Sequence, residues 1–480
     1  MIIQFSIENY LSFKSKTELS LESGERLRKF NDTNTMKVKD IRLLKNIVLF
    51  GPNGSGKSNV INALQTFKNL VLKKASFITT DLPYVPFLLN IENQAEPTTF
   101  EIEFIINNIK YRYTISYNEE LFTYEHLEYS TGNKKYKTYF KRINNEFEKL
   151  PLGTESIAQK TRKNTLFLYL LQDNNDVHAI NVTLWFSDYL QLCDFSNIED
   201  DIDILENKEI KDLFLRLLKV ADFNIKDIEV DKKIKKFSNE QQELMMKLLS
   251  PLVKANEGEL TIPETRVETD LRTVYNLYND EQENIGKARL PLELESSGTR
   301  KFIRIILSIL NAGQEGKVLI FDEFDDSFHL AVSQALIKLF NSEFNNNQFI
   351  LTSHELQHLD CDIRKDQIYL LEKDYDGESN LFSLFDFNNL EPSGYNSYFN
   401  KNSRHDLSFF KRYIDGRFGA NPQVRIESLV DTMAEYYGST TKEKQEKQEK
   451  QEIKEIKEIK EIKEIKEIKE KKEIIKIKDK

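Results

Sequence analysis

The stretch LFGPNGSGKSNVINAL, from Leu49 to Leu64, restricts the possible folds more than any other part of this sequence. It contains the pattern G-x-x-x-x-G-K-[ST], in which glycines let consecutive backbone N–H groups point inward around phosphate oxygens. The apolar run KNIVLF before it predicts a buried strand, and apolar residues at helical spacing after it predict a helix. This order of strand, glycine-rich loop and helix predicts a phosphate-binding loop in an α/β domain.

The loop also predicts a nucleotide and a metal ion. Lys57 can reach the β- and γ-phosphates, and the hydroxyl of Ser58 can bind Mg²⁺. The sequence has no N/T-K-x-D motif for guanine, so ATP is favoured over GTP. The predicted cofactors are therefore ATP and Mg²⁺, and the predicted nucleotide-binding residues are Gly51, Pro52, Asn53, Gly54, Ser55, Gly56, Lys57 and Ser58.

Composition restricts the class of protein and its location. At 480 residues, with 39% hydrophobic and 30% charged residues, the chain is typical of a soluble globular protein with more than one structural unit. It lacks both an apolar run of the roughly 20 residues that a bilayer span needs and the basic start of a signal peptide. Cys193 and Cys361 cannot form a disulfide framework or a zinc site by themselves. We therefore expect a cytoplasmic protein with no membrane partner.

Hydrophobic periodicity predicts that a helical insertion interrupts a sheet-bearing head domain. Alternating segments at the N-terminus predict two antiparallel strands, and those from residue 98 to about 149 predict an antiparallel meander. The predicted regions are an N-terminal part of the head (1–150), a mainly helical insertion (151–255), a C-terminal part of the head (256–435) and a low-complexity tail (441–480). In the tail, isoleucine recurs every third residue and winds around a helix, so neither a coiled-coil seam nor a membrane-binding face is expected.

The run KVLIFDEF, from Lys317 to Phe324, predicts an apolar strand that ends in two acidic residues. A carboxylate at such a strand end can hold Mg²⁺ through water, as the Walker B aspartate does. Asp322 is therefore the second predicted metal-binding residue. Glu323 follows it and is the predicted catalytic base, because its carboxylate can point at the water that attacks the γ-phosphate. Without the upstream phosphate loop, a solvated strand end would be the simpler interpretation.

The segment ELESSGTRKF lies just upstream and predicts the start of a helix. An ordinary Ser/Thr N-cap is the simplest interpretation of such residues. The position favours another, because ABC-type ATPases carry their LSGGQ signature at this point of the chain. In that class the signature of one protomer closes over the γ-phosphate bound by its partner. The predicted signature, acting in trans, consists of Ser296, Ser297, Gly298 and Thr299.

The run QFILTSHE predicts another strand, after which His354 resembles the switch histidine of ABC ATPases that senses the γ-phosphate. It is the second predicted catalytic residue. The segment from Asp325 to His329 lies where the D-loop belongs, along the seam of a head dimer. No such context assigns a role to His126, His178, His358 or His405.

The four motifs stand in the ABC order, and the long interval between the first two resembles the SMC and RecF-like branch. The chain resembles more closely the prokaryotic AAA family ATPases of the RloA, AbiLii and PARIS AriA type, which act in abortive infection and phage defence. This resemblance covers residues 1 to about 425. It rests on the phosphate loop, the predicted signature, IFDEFDDSFH, and the segments FSIENYLSFKSKTELSL, PTTFEIEFIINNIKYRYTI, IRKDQIYLLEKD and RYIDGRFGANP.

The resemblance implies an α/β fold, an ABC-type P-loop NTPase head with a mixed sheet and an antiparallel β subdomain, split by the helical insertion. It implies an ATP-hydrolysing switch that forms a homodimer or a higher homo-oligomer through ATP-sandwiched heads, with a toxin or nuclease as the effector partner. The sequence departs from the family in Leu330, where proline is usual, in the tail, and in lacking a recognisable Q-loop glutamine.

Two other functions stay open at this point. A RecF/SMC-like ATPase of DNA repair or DNA organisation would bind nucleic acid, although the net charge of −10 does not indicate a polyanion partner. A nuclease of the Toprim kind would use acids such as Asp374 and Asp376, but the interval between His354 and the tail is too short for an added domain. Those two acids are better interpreted as exposed turn residues before Gly377.

Overall fold

The computed structural model describes residues 1–24, 27–132, 134–193, 199–236 and 265–386. The chain divides into two compact units, Met1–Asn421 and Pro422–Lys480, and all described residues belong to the first. None of the described helices is both long and apolar enough to cross a membrane. The α-helices are α1 Asn31–Asn34, α2 Lys57–Leu72, α3 Glu155–Gln159, α4 Phe167–Asp173, α5 Val177–Leu184, α6 Lys208–Val220, α7 Ser297–Ala312 and α8 Leu330–Phe340.

The strands of the described residues form four sheets. Those of the first half of the chain are β1 Ile2–Glu8, β2 Thr17–Ser20, β3 Thr35–Val38, β4 Ile41–Leu44, β5 Asn46–Phe50, β6 Thr98–Ile106, β7 Ile109–Tyr117, β8 Phe122–Thr131, β9 Lys137–Ile143 and β10 Glu146–Lys149. Those that follow are β11 Leu190–Leu192, β12 Asp227–Lys236, β13 Thr265–Tyr278, β14 Asn284–Pro291, β15 Val318–Phe321, β16 Gln348–Ser353, β17 Ile368–Lys373 and β18 Ser379–Ser383.

A seven-stranded antiparallel sheet, in the order β10-β9-β8-β7-β6-β1-β2, contains both predicted strand regions. The N-terminal pair is confirmed, since β1 pairs antiparallel with β2 and also with β6. The meander is confirmed from β6 to β10. The sheet packs on α2 through aromatic rings, because Phe67 stacks on Phe100 and Tyr113 at centroid distances of 5.6 and 5.9 Å. This contact fixes the helix that follows the phosphate loop.

The six-stranded sheet, in the order β11-β15-β16-β5-β17-β18, positions the predicted motifs. Its first five strands are parallel, and β18 is antiparallel to β17. Strands β5, β15 and β16 are almost wholly buried, which explains their unbroken apolar runs. Because parallel strands end at the same edge, the phosphate loop, the two acids after β15 and the Thr-Ser-His segment meet there.

The region predicted as a mainly helical insertion, 151–255, is only partly helical where it is described. Helices α3 to α6 and a π-helix at Trp185–Tyr189 lie in it, but so do β11 and β12. Strand β11 pairs with β15 and therefore belongs to the head sheet, while β12 pairs with β13 in a separate three-stranded sheet. Periodicity could not identify a three-residue strand within a helical pattern. The predicted helix around residues 240–253, the boundary at 255 and the tail lie outside the described residues.

A buried carboxylate joins the meander to α4. Glu125 is fully buried and accepts hydrogen bonds from the Tyr113 hydroxyl (2.9 Å) and the backbone N–H groups of Phe167 (2.8 Å) and Leu168 (3.0 Å). Its Oε2 lies 3.5 Å from Nη1 of the equally buried Arg142. Burial raises the pKa of Glu125, although Arg142 and the N–H donors oppose that shift. The carboxylate thus anchors the N-terminus of α4 to the sheet.

Replacing Arg142 with Met should lower the free energy of unfolding by about 3–5 kcal/mol, because it leaves Glu125 buried without its cation. Urea unfolding followed by circular dichroism measures this change. The control is Lys163→Met, which breaks the partly exposed pair with Glu120 and should cost less than about 1 kcal/mol. Equal costs for the two variants would contradict the anchoring role.

Candidate functional site

The phosphate loop runs from Gly51 to Gly56, between β5 and α2. Gly54 and Gly56 have φ angles of 77° and 106°, in the left-handed region that favours glycine. A Cβ atom on Gly56 would also lie 2.5 Å from Ser379 Oγ, so a larger residue would displace the loop. Gly54 and Gly56 therefore give the loop backbone conformations that residues with a Cβ atom rarely adopt.

Lys57 lies inside the curve of this loop. Its side chain is buried, and Nζ donates hydrogen bonds to the carbonyl oxygens of Gly51 (2.7 Å) and Pro52 (3.1 Å). Burial lowers the pKa of Lys57, whereas Asp322 and Glu323 act in the opposite direction. The ammonium group is thus held at the loop by acceptors that phosphate oxygens can replace.

The two predicted acids follow β15 directly. The hydroxyl of Thr352 donates to Asp322 Oδ1 (2.5 Å) and accepts from the backbone N–H of Glu323 (2.6 Å). Glu323 has a φ angle of 49°, a conformation that costs a residue with a Cβ atom roughly 1–2 kcal/mol. Such strain often occurs at functional sites, where the surrounding contacts maintain it.

Glu323 and His354 lie together, as the motifs predict. Glu323 Oε1 is 3.5 Å from His354 Nε2, and the two side chains are 53% and 41% exposed. Both therefore face solvent at the sheet edge. The parallel pairing of β15 with β16 produces this proximity, because Phe321 pairs with Leu351, two residues before Glu323 and three before His354.

A cleft of about 560 Å³ lies between the phosphate loop and this pair, a volume typical of small-molecule sites. Five of the eight predicted nucleotide-binding residues and both predicted catalytic residues line it. Its lining residues are Asn53, Gly54, Gly56, Lys57, Ser58, Asn59, Glu323 and His354.

The residues present fit a nucleotide with Mg²⁺. The Oγ atom of Ser55 is buried in the loop with no hydrogen-bond partner, and the Ser58 side chain is exposed to the cleft. Among the described residues, no group of three or more His, Cys, Asp and Glu side chains could hold a metal ion. Ser58 lines the cleft and Asp322 does not, although Asp322 directly precedes Glu323, which does. These two residues would be few protein ligands, as Mg²⁺ prefers when phosphate oxygens and water complete its coordination.

The predicted signature lies outside the cleft, at the N-terminus of α7. Ser296 caps α7 by accepting a hydrogen bond from Thr299 N (3.0 Å), which is the simpler role considered for it. Ser296 and Ser297 are exposed, Thr299 is buried, and none of the signature residues lines the cleft. A Cβ atom on Gly298 would lie 2.6 Å from the carbonyl oxygen of Ser327, so glycine allows the predicted D-loop to approach α7.

His358, which received no role from the sequence, contacts the first acid of the predicted D-loop. It is fully buried, with Nε2 3.3 Å from Asp325 Oδ2. Asp325 also accepts hydrogen bonds from Ser353 Oγ and Glu355 N. Burial raises the pKa of Asp325, but the contacts with His358 and Ser353 outweigh it and lower that pKa. No local pattern could reveal this pair, because it depends on how the chain turns after β16.

The remaining candidates have structural explanations or are not described. His178, on α5, forms a hydrogen bond with the hydroxyl of Tyr111 on β7, and His126, on β8, forms one with Thr138 on β9. Asp374 Oδ1 accepts from the N–H groups of Asp376 and Glu378, so the two acids of the nuclease hypothesis belong to a turn, as predicted. His405 lies outside the described residues.

Several solved structures are similar to this chain. One is the SMC head domain from Thermotoga maritima, 13% identical, which covers 80% of this chain and 98% of its own length with a TM-score of 0.35. Another is an Smc head domain with an extended coiled coil bound to the C-terminal domain of ScpA, from Pyrococcus furiosus, 11% identical, with coverages of 81% and 98% and a TM-score of 0.35. A comparison with curated proteins found no match.

A family model matches residues 47–360, from the strand before the phosphate loop to the segment after His354. Together with the parallel sheet order and the antiparallel subdomain, this match confirms the predicted α/β P-loop NTPase head. The chain belongs to the family described as AAA domain, putative AbiEii toxin, type IV TA system.

Proposed function

We propose that this chain is an ABC-class ATPase that binds ATP with Mg²⁺ and hydrolyses it to ADP and phosphate. The observation that carries this proposal is the cleft in which Lys57, Glu323 and His354 meet. The family match from residue 47 to residue 360 supports the same activity.

Each side chain has a defined task in this proposal. Lys57 and the loop N–H groups neutralise the phosphates, while Glu323 accepts the proton of the attacking water. His354 Nε2 lies 3.5 Å from Glu323 Oε1, so it would contact the γ-phosphate of a bound ATP and could report whether that group is present. Ser58 and Asp322 would hold Mg²⁺, which supplies further positive charge to the phosphates.

The second part of the proposal is that ATP joins two heads into a dimer. The exposed Ser296 and Ser297 at the start of the 16-residue helix α7 do not reach the cleft of their own chain. A partner head would place these residues, with Gly298 and Thr299, over the γ-phosphate. ATP can shift the equilibrium only because it binds the closed dimer more tightly than the open head.

The third part is that this switch acts in phage defence and controls an effector, a toxin or a nuclease. The family description names a putative toxin and a toxin–antitoxin system, which supports a role of this kind. The resemblance of the motifs to RloA, AbiLii and AriA proteins supports it as well. We assign the effector contact to the region 151–255, because the sequence pattern identifies it as an insertion between the two parts of the head.

Replacing Glu323 with Gln tests the ATPase and the dimer together. Turnover should fall by about 10²–10⁴-fold, because the amide cannot accept the proton of the water. ATP should still bind, so the variant should accumulate as dimers. Size-exclusion chromatography with light scattering, with and without ATP and Mg²⁺, measures the mass, and phosphate release measures turnover.

The matched control is Glu355→Gln, which makes the same chemical change near the cleft at a residue that does not line it. It should leave turnover close to that of the unchanged chain. A Glu323→Gln variant that stays monomeric with saturating ATP would refute the dimer. Turnover stimulated by DNA in a salt-dependent manner would instead favour the RecF/SMC-like alternative.

A further inference from the structure

We infer that Thr352 is a positioning residue that holds both acids of the catalytic site through one hydroxyl group. This inference rests on the proposed hydrolysis of ATP. Thr352 is fully buried in β16 and does not line the cleft. Its Oγ1 atom lies 2.5 Å from Asp322 Oδ1 and 2.6 Å from Glu323 N.

The direction of these two hydrogen bonds is fixed by the chemistry of the partners. The backbone N–H of Glu323 can only donate, so the threonine oxygen accepts there. The single hydroxyl proton of Thr352 is then free to point at Asp322, which accepts it as a carboxylate. One side of Asp322 is thereby fixed, and its other oxygen keeps its capacity to bind a hydrated cation.

The same residue supports the strained backbone of Glu323. Besides the bond to Glu323 N, the carbonyl oxygen of Thr352 accepts a hydrogen bond from Phe324 N (3.2 Å). Lys301 of α7 donates to the Glu323 carbonyl oxygen from the other side. A left-handed glutamate persists only when its surroundings over-determine it, and Thr352 supplies two of these bonds.

The position of a hydroxyl group along β16 decides which carboxylate it contacts. Ser353 donates to Asp325, three residues after Asp322, and therefore contacts the D-loop and not the catalytic acids. Valine at position 352 would have a similar shape but no hydroxyl, so it would leave Glu323 N and Asp322 Oδ1 without their partner.

The test compares Thr352→Ser with Thr352→Ala, two variants that lack the same methyl group and differ only in the hydroxyl oxygen. Ser should keep turnover within about threefold of the unchanged chain. Ala should lower turnover and raise the Mg²⁺ concentration for half-maximal activity by about 10–100-fold, the usual effect of removing a partner of a metal-binding carboxylate. ATP affinity measured in EDTA should stay the same in both, because Lys57 and the loop are unaltered.

Thr352→Val removes the hydroxyl but keeps nearly the side-chain volume of threonine, so it replaces the alanine variant if that variant is unstable. Its matched control is Thr114→Val in β7, where a buried threonine hydroxyl also donates to a carboxylate, Glu101 (2.9 Å), in the antiparallel subdomain. Only the variant at position 352 should alter the Mg²⁺ dependence. A general loss of stability would affect both valine variants alike.

The inference is overturned if Ser and Ala give the same turnover and the same Mg²⁺ dependence. If the unchanged chain does not hydrolyse ATP at all, the proposed function fails instead. The role of Thr352 is then decided by thermal denaturation, in which ATP should raise the melting temperature of the Ser variant at a lower Mg²⁺ concentration than that of the Ala variant. Equal Mg²⁺ requirements would refute it.

Discussion

Replacing Lys57 with Met should abolish measurable ATP turnover and weaken ATP binding by at least about 100-fold, because hydrogen bonds from an ammonium to phosphate contribute roughly 1.5–3 kcal/mol each. Methionine keeps the aliphatic stem, so the packing of the α2 N-terminus is largely retained. Nζ of Lys57 donates to the carbonyl oxygens of Gly51 and Pro52, and among the described residues no other lysine or arginine lines the cleft.

Fluorescent nucleotide titration and phosphate release measure the two effects, and thermal denaturation with ATP measures them independently. The unchanged chain should gain melting temperature with ATP and Mg²⁺, whereas Lys57→Met should gain none. The control is Lys45→Met, which removes another buried lysine whose Nζ donates to a backbone carbonyl, that of Ser342 (2.6 Å). It should lower the melting temperature but preserve the increase with ATP. Normal ATP binding by Lys57→Met would refute the assignment of the loop.

The motifs that could be predicted from the sequence are those whose chemistry is local. A glycine loop needs left-handed backbone at set positions, and Gly54 and Gly56 have it. Buried parallel strands need apolar runs. The ends of the runs in β15 and β16 therefore predict that Asp322 and His354 directly follow these strands. Sheet order then brings these ends together without any further pattern in the sequence.

The contacts that could not be predicted depend on pairs of residues that are distant in the sequence. Thr352 contacts Asp322 and Glu323 across 30 and 29 positions, and no spacing rule relates them. Strand β11 has only three residues and joins β15 from within a region of helical periodicity. His358 lies 3.3 Å from Asp325 in a short 3₁₀ helix, Leu356–Asp360, that follows β16, and 33 positions separate the two residues in the sequence.

Mixing two inactive variants should restore ATP turnover if the signature acts in trans. Lys57→Met inactivates the phosphate loop, and Ser297→Glu places a negative charge where the γ-phosphate of the partner would lie. Position 297 suits this purpose because it is exposed at the first turn of α7, where an acidic residue favours the helix. Gly298 does not suit it, since any Cβ atom there meets Ser327 within the same chain.

Each variant alone forms only defective sites. Both sites of a Lys57→Met dimer have a defective loop, and both sites of a Ser297→Glu dimer have a defective signature. A mixed dimer contains one site with an intact loop from the Ser297→Glu chain and an intact signature from the Lys57→Met chain. With equal amounts and random pairing, about a quarter of all sites are intact, so about a quarter of the unchanged turnover should return.

A mixture that stays inactive would show that loop and signature work within one chain or that the heads do not pair. The discriminating control is Lys57→Met mixed with Glu323→Gln. Lys57 and Glu323 line the same cleft of one chain, so every site in that mixed dimer lacks one of them. This second mixture should remain inactive at every ratio. Recovery in the first mixture and none in the second would identify which residues belong to one head and which come from its partner.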